Sequence, residues 1–157
     1  MNLRPILLAE DNEDDVFFML RAAKACGITH PIHVAKHGQA AIDYLAGAGD
    51  FADRDRYPLP FLVFLDLKMP HKSGLEVLEW IRAQPSLQTM LVLILTTSRE
   101  ESDVQRAYRL GVNSFLVKPP NASQLTDLIK LVKTYWLDNP QLAFSAPLHA
   151  ERSVVLT

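Results

Sequence analysis

The stretch that decides the fold is Phe61-Leu-Val-Phe-Leu-Asp-Leu-Lys-Met-Pro70, "FLVFLDLKMP". An unbroken apolar run delivers a lone carboxylate, Asp66, and the segment then stops at a proline. A short apolar run without alternation is the pattern of a strand covered on both faces, and proline cannot extend its ladder. The runs "ILLA" (6–9), "IHVA" (32–35), "LVLIL" (91–95) and "SFLV" (114–117) also read as strands. Amphipathic segments alternate with them, at roughly 14–26, 38–46, 74–84, 100–110 and 122–137. Ser73-Gly-Leu-Glu76 is a capping-box pattern and Asn121-Ala-Ser-Gln124 resembles one. Gly27 and Gly111 stand where two helices should stop, and Asn139-Pro140 should end the last. Leu125, Leu128, Ile129, Val132 and Trp136 form that last helix's core stripe.

Strand–helix pairs repeated five times imply an α/β chain: a parallel sheet between two helical layers, a three-layer (βα)5 sandwich. Right-handed crossovers leave few topologies, one of them the flavodoxin-like strand order 2-1-3-4-5. In that order strands 1 and 3 are neighbours, and ligands bind beyond the carboxyl ends of the strands.

The chain has 157 residues, 48% of them hydrophobic and 22% charged, which suits one domain with a real core. A net charge of −2 offers no basic excess for a phosphate backbone, so nucleic acid is not expected as a partner. The lone cysteine, Cys26, forms no internal disulfide and reads as a small, partly buried apolar residue. No secretory signal opens the chain, and no apolar run approaches the ~18 residues of a membrane span. A cytoplasmic protein without membrane attachment is expected. The segment 46–60, "AGAGDFADRDRYPLP", reads as a surface excursion. Residues 1–137 form the expected domain. The tail, 138–157, is too short for an output domain; with Leu142, Phe144 and Val154 it suits either a frayed terminus or an arm that packs on the body or a second subunit.

Polar residues close the strands at the carboxyl edge. Strand 1 ends at Glu10-Asp11, strand 3 at Asp66, strand 4 at Thr96-Thr97-Ser98 and strand 5 at Lys118-Pro119. Three carboxylates in one crevice repel each other unless a cation neutralises them. Oxygen donors of this kind suit Mg²⁺, and no thiolate or imidazole cluster points to zinc. Helix-dipole complementation explains Glu13, Asp14 and Asp15, to which no chemistry is assigned, and Asn12 is a natural N-cap. It does not explain Asp66, which closes a strand rather than opening a helix.

Taken together, "LLAEDN", "FLDLKMP", "LILTTS" and "FLVKP", in this order and on these strand ends, resemble the receiver domain of two-component response regulators. The likeness covers residues 4–137. It implies that Asp66 is the phosphoacceptor for the phosphohistidine of a sensor histidine kinase. It also implies that Glu10, Asp11, Asp66 and the backbone carbonyl of Lys68 hold Mg²⁺. Thr96 resembles the hydroxyl residue that binds the phosphoryl group, Lys118 the lysine that pairs with it, and Phe115 the aromatic whose rotamer follows Thr96. The Lys118–Pro119 bond is expected to be cis on the same ground. The narrower likeness, carried by the long segment before strand 3, "GVNSFLVKP" and "KTYWLDNP", is to single-domain receivers paired with bacterial phytochrome-type kinases. It implies a bacteriophytochrome kinase as phosphodonor, and homodimerisation through helix 4, strand 5, helix 5 and the tail. Tyr108, Leu131, Tyr135 and Phe144 are the candidate interface residues. The downstream partner is unspecified.

Such a protein is a phosphoacceptor switch with self-limited phosphotransfer, not a turnover enzyme. Two other functions were weighed. A flavodoxin-like cofactor binder needs a phosphate loop after strand 1, where "EDNEDD" repels phosphate. A phosphohydrolase of the haloacid-dehalogenase type wants a second acid two residues after the nucleophile, where Lys68 stands. His30, His33 and His37 fall across strand 2 and the following turn and read as surface polar groups, and His71, near the rim of the expected site after Pro70, reads as a turn residue. Lys68 stands at the rim of the expected site. Lys68→Ala is therefore expected to change the lifetime of a phosphorylated Asp66 while leaving the unfolding midpoint in place; unchanged dephosphorylation kinetics count against it.

Overall fold

Every residue of the non-alternating runs β1 (Ile6–Ala9), β3 (Leu62–Leu65) and β4 (Leu91–Thr96) is buried, as expected for strands covered on both sides. With β2 (Ile32–Ala35) and β5 (Ser114–Val117) they form one parallel sheet in the order β2-β1-β3-β4-β5. The structure, a computed structural model, describes residues 3–138. Five helices connect and flank the strands: α1 (Glu13–Ala25), α2 (Gly38–Ala46), α3 (Gly74–Ala83), α4 (Glu101–Arg109) and α5 (Ala122–Val132). The last runs on as a π turn over Lys133–Leu137.

The strand period of two sorts the core into two halves. Ile6, Leu8, Leu62, Phe64, Leu91, Leu93, Leu95 and Leu116 pack with α1 and α5. Their sequence neighbours Leu7, Ala9, Val63, Leu65, Val92, Ile94, Phe115 and Val117 pack with α2, α3 and α4. Full burial of each large apolar side chain contributes about 2 kcal/mol. Register places Ile6 opposite both Ile32 and Leu62, Leu62 opposite Leu91, and Leu93 opposite Ser114.

The helices start where their polar residues can cap them. Asn12 Oδ1 accepts from the Asp15 N–H at 2.9 Å, and Asn121 Oδ1 from the Gln124 N–H at 2.9 Å. Ser73 and Glu76 complete a reciprocal capping box, both bonds 3.2 Å. After α1 and α4 the chain turns through Gly27 (φ 74°) and Gly111 (φ 90°). The three neighbouring histidines have separate partners. His30 Nδ1 meets the Arg4 carbonyl at 2.8 Å, His33 Nδ1 the Tyr44 hydroxyl at 2.8 Å, and His37 Nδ1 accepts from the Ala40 N–H at 3.0 Å to cap α2.

The segment 46–60 is a surface excursion, exposed or half-buried everywhere but Pro60, and side chains tie it down. Arg54 reaches back to the carboxyl end of α2, donating to the carbonyls of Tyr44 (2.7 Å) and Leu45 (2.8 Å) and to that of Tyr57 (3.1 Å). Phe51 and Tyr57 pack edge-on at 5.1 Å, and both lie within 6 Å of the Tyr44 ring. A guanidinium satisfying helix-end carbonyls thus replaces the regular structure that the composition lacks.

Two glycines let loops meet at the carboxyl edge. A Cβ on Gly74 lands on the Asp66 carbonyl oxygen, and one on Gly38 lands on the Lys72 carbonyl oxygen. The first glycine of α3 therefore sets how closely that helix approaches the end of β3. Gly74→Ala is expected to cost about 3 kcal/mol in urea unfolding at unchanged m-value; a loss under about 0.5 kcal/mol counts against this contact.

Candidate functional site

Parity decides what the strand ends offer. Glu10, Asp66 and Lys118 continue the alternate positions of β1, β3 and β5 whose earlier members face α1 and α5. The first residues past the strands keep the register: the Glu10 N–H donates to the Ala35 carbonyl (3.0 Å), the Asp66 N–H to Ala9 (3.1 Å) and the Lys118 N–H to Thr96 (2.7 Å). Three side chains of opposite charge are thereby delivered to one side of the sheet.

They meet. Lys118 Nζ lies 2.8 Å from Glu10 Oε2, 3.1 Å from Asp15 Oδ2 and 3.5 Å from Asp66 Oδ2. Only 4% of the Glu10 side chain is exposed, 13% of Lys118 and 12% of Asp66. Asp11, next to Glu10, is exposed. Carboxylate oxygens of Glu10, Asp11 and Asp66 all lie within 4.8 Å of one another. Among the described residues this is the one cluster of acidic, histidine or cysteine side chains with ligand atoms so close.

Burial pushes the Glu10 carboxyl up to about 7; Asp66 adds to the rise, while Lys118 and the Asn12 N–H pull it down. Burial works against the Lys118 ammonium, yet its hydrogen bond to Glu10 and the charges of Asp66 and Glu10 carry its pKa upward on balance. The ammonium stays charged, and the cost of crowding falls on Glu10. A buried carboxylate with a raised pKa beside two others is a donor set short of positive charge. All-oxygen donors at this spacing fit Mg²⁺ or Mn²⁺.

Thr96 and Phe115 belong to the opposite face. Both are fully buried, with Phe115 in the α2–α4 half of the core. Thr96 Oγ1 accepts from the Ser98 N–H at 3.4 Å, and no hydrogen bond joins it to Asp66 among the described residues. Lys68 is exposed at the rim. The Lys118–Pro119 peptide is trans, which corrects the expected cis bond. Trans is the ordinary ground state of a lysyl–proline bond, by about 0.5–1 kcal/mol, and the Lys118 stem reaches the cluster with it. Of the candidate interface residues, Leu131 (56% exposed) and Tyr135 (49%) face solvent. Tyr108 is half-buried, its hydroxyl accepting from the Phe115 N–H at 3.3 Å. Phe144 and the tail beyond residue 138 lie outside the described residues.

Residues 6–130 match the response regulator receiver domain. The chain belongs to that family. The response regulator Rcp1 of Synechocystis sp. is 35% identical over 137 residues, spanning 87% of this chain and 91% of that protein. A crystal structure of the Mn²⁺-bound form of Rcp1 superposes with a TM-score of 0.78 at 33% identity, covering 94% of this chain and 99% of that one. The phosphorylated cyanobacterial phytochrome response regulator RcpA superposes with a TM-score of 0.81 at 34% identity, covering 87% and 96%. The bacteriophytochrome response regulator AtBRR does so at 0.72 and 41%, also covering 87% and 96%. Receiver domains hold a divalent cation in an acidic pocket, and the Glu10–Asp11–Asp66 cluster fits one. No helix among the described residues is long and apolar enough to cross a membrane.

The residue missed from the sequence is Asp15. It stands in the first turn of α1, among three consecutive acids, and its contact with Lys118 joins residues 103 positions apart. The acidic triangle has a direct test. Mg²⁺ at a hundred-fold excess over its dissociation constant is expected to stabilise the protein by about 2–3 kcal/mol. Asp11→Asn, at an exposed position, is expected to keep the metal-free melting temperature and weaken Mn²⁺ binding about ten-fold or more, read by calorimetry.

Proposed function

We propose that this protein is a phosphoryl-accepting signalling switch, with Asp66 as the acceptor. The observation that carries the reading is the Lys118 ammonium, 3.5 Å from Asp66 Oδ2 within the carboxylate cluster. A cation fixed beside Asp66, in a carboxylate set that fits a divalent ion, offers the positive charge that a phosphoryl group on Asp66 needs.

Asp66 Oδ attacks the phosphorus of a phosphohistidine. The new O–P bond forms as the N–P bond breaks, and the imidazole leaves with the electron pair. Catalysis of this kind is mostly positioning and charge compensation. Glu10, Asp11, Asp66 and the Lys68 carbonyl would hold Mg²⁺, which when bound would offset the negative charge of the incoming phosphoryl group. Lys118 pairs with the phosphoryl oxygens from the other side. Thr96 starts from a buried position on the far face, so engaging the group requires it to turn toward Asp66. That turn frees space beside Phe115, whose own N–H is tied to α4 through Tyr108. The charge change at Asp66 is thus passed to α4, β5 and α5 by repacking.

The names of the similar proteins favour a phytochrome-type histidine kinase as phosphodonor. Exposed Leu131 and Tyr135 on the α5 side favour self-association there. The protein is a switch consumed once per transfer rather than a turnover enzyme. Incubation with Mg²⁺ and acetyl phosphate is expected to add one phosphoryl mass to the wild type and none to Asp66→Asn. Equal modification of both would overturn the assignment.

A further inference from the structure

The Lys118 ammonium has three N–H bonds to give, and two of them are not given to Asp66. They go to Glu10 (2.8 Å) and Asp15 (3.1 Å), while Asp66 is the longest ion-pair contact at 3.5 Å. Asp15 is held for this task by its own backbone. Its N–H is the group that Asn12 caps, at 2.9 Å, so the first turn of α1 is fixed where the side chain leaves it. The three contacts differ in how easily they break. Glu10 is buried, with its Oε1 also accepting from the Asn12 N–H at 3.2 Å, whereas the Asp15 side chain is 40% exposed. Beside the ammonium lies a cavity of about 220 Å³, lined in part by Asp15, Phe18, Leu125 and Pro120, which gives a released carboxylate room to move.

We propose that Asp15 is a positioning residue that competes for Lys118: it holds the ammonium back from Asp66 until a phosphoryl group outbids it. The proposal rests on Asp66 being the phosphoacceptor. In the unphosphorylated protein Asp15 shares the cation with Glu10. When Asp66 gains phosphoryl oxygens, the ammonium moves to them and the half-exposed Asp15 contact is the one that breaks. Asp15 thereby weakens the hold on the phosphoryl group and limits how long the signal lasts. Asp14 and Glu13 share the first turn and its macrodipole but are exposed. They supply matched controls for charge without the contact.

The test compares wild type, Asp15→Asn and Asp14→Asn by calorimetric titration with beryllofluoride in Mg²⁺ buffer. Asp15→Asn is expected to bind about five-fold tighter than Asp14→Asn, and its acetyl-phosphate-derived phosphoryl group to last longer by a similar factor. Asp15→Glu, which keeps the charge, is expected to return most of the difference. In the wild type, the side-chain carboxyl carbon resonance of Asp15 is expected to move on beryllofluoride addition while that of Asp14 stays in place. If the two Asn variants bind alike, or the Asp15 resonance does not respond, the proposal fails and the phosphoacceptor reading stands. A wild type that takes up no beryllofluoride overturns both.

Discussion

Lys118 meets three carboxylates at 2.8, 3.1 and 3.5 Å, and the arrangement of the carboxyl edge follows from that convergence. Without the ammonium, Glu10, Asp15 and Asp66 would be three like charges within reach of one another, two of them largely withdrawn from water. With it, the ends of β1, β3 and β5 and the start of α1 meet at a common point. A buried charge cluster of this kind is weak support for stability, because desolvation offsets much of the Coulombic gain. Its presence is better explained by use. Burial pushes the Glu10 carboxyl up to about 7 against the pull of Lys118, and with Asp11 and Asp66 it forms the set that a divalent cation fits.

The framework beneath the cluster is simple. The strand period of two sends Glu10, Asp66 and Lys118 to one face and Thr96 and Phe115 to the other, with the sheet between them. In the proposed switch, the route between the faces runs around the ends of β4 and β5. Thr96 is well placed for that, fully buried and bonded through its carbonyl to the Lys118 N–H at 2.7 Å. A displacement of either residue is felt by the other through the backbone.

Much of this was legible in the residues. Non-alternating runs named the strands, and Asn12, Ser73 and Asn121 announced three helix starts that are capped as expected. The polar residues closing strands 1, 3 and 5 pointed to the carboxyl edge where Glu10, Asp66 and Lys118 meet. What escaped has physical reasons. Asp15 was absorbed into the helix-dipole explanation because three consecutive acids at a helix start satisfy it equally well, and only geometry separates the one that reaches Lys118. The segment 46–60 is the surface excursion expected, but Arg54 and the aromatic cluster that tie it down have no period to announce them. The contact of the Tyr108 hydroxyl with the Phe115 N–H joins α4 to β5, and no periodicity announces it. The trans Lys118–Pro119 bond differs from an expectation that rested on resemblance, not on anything in the local sequence.

That Tyr108 contact has a consequence for the margin of the sheet. β5 is an outermost strand, and such strands carry vacant main-chain donors onto which a foreign strand can stitch itself. Here one of those donors, at Phe115, is already taken by a phenol from the adjoining helix. An intruding polypeptide finds this one position plugged, so a continuous added ladder along β5 loses a rung there. Neighbouring molecules are left to recognise it by shape and side chains instead.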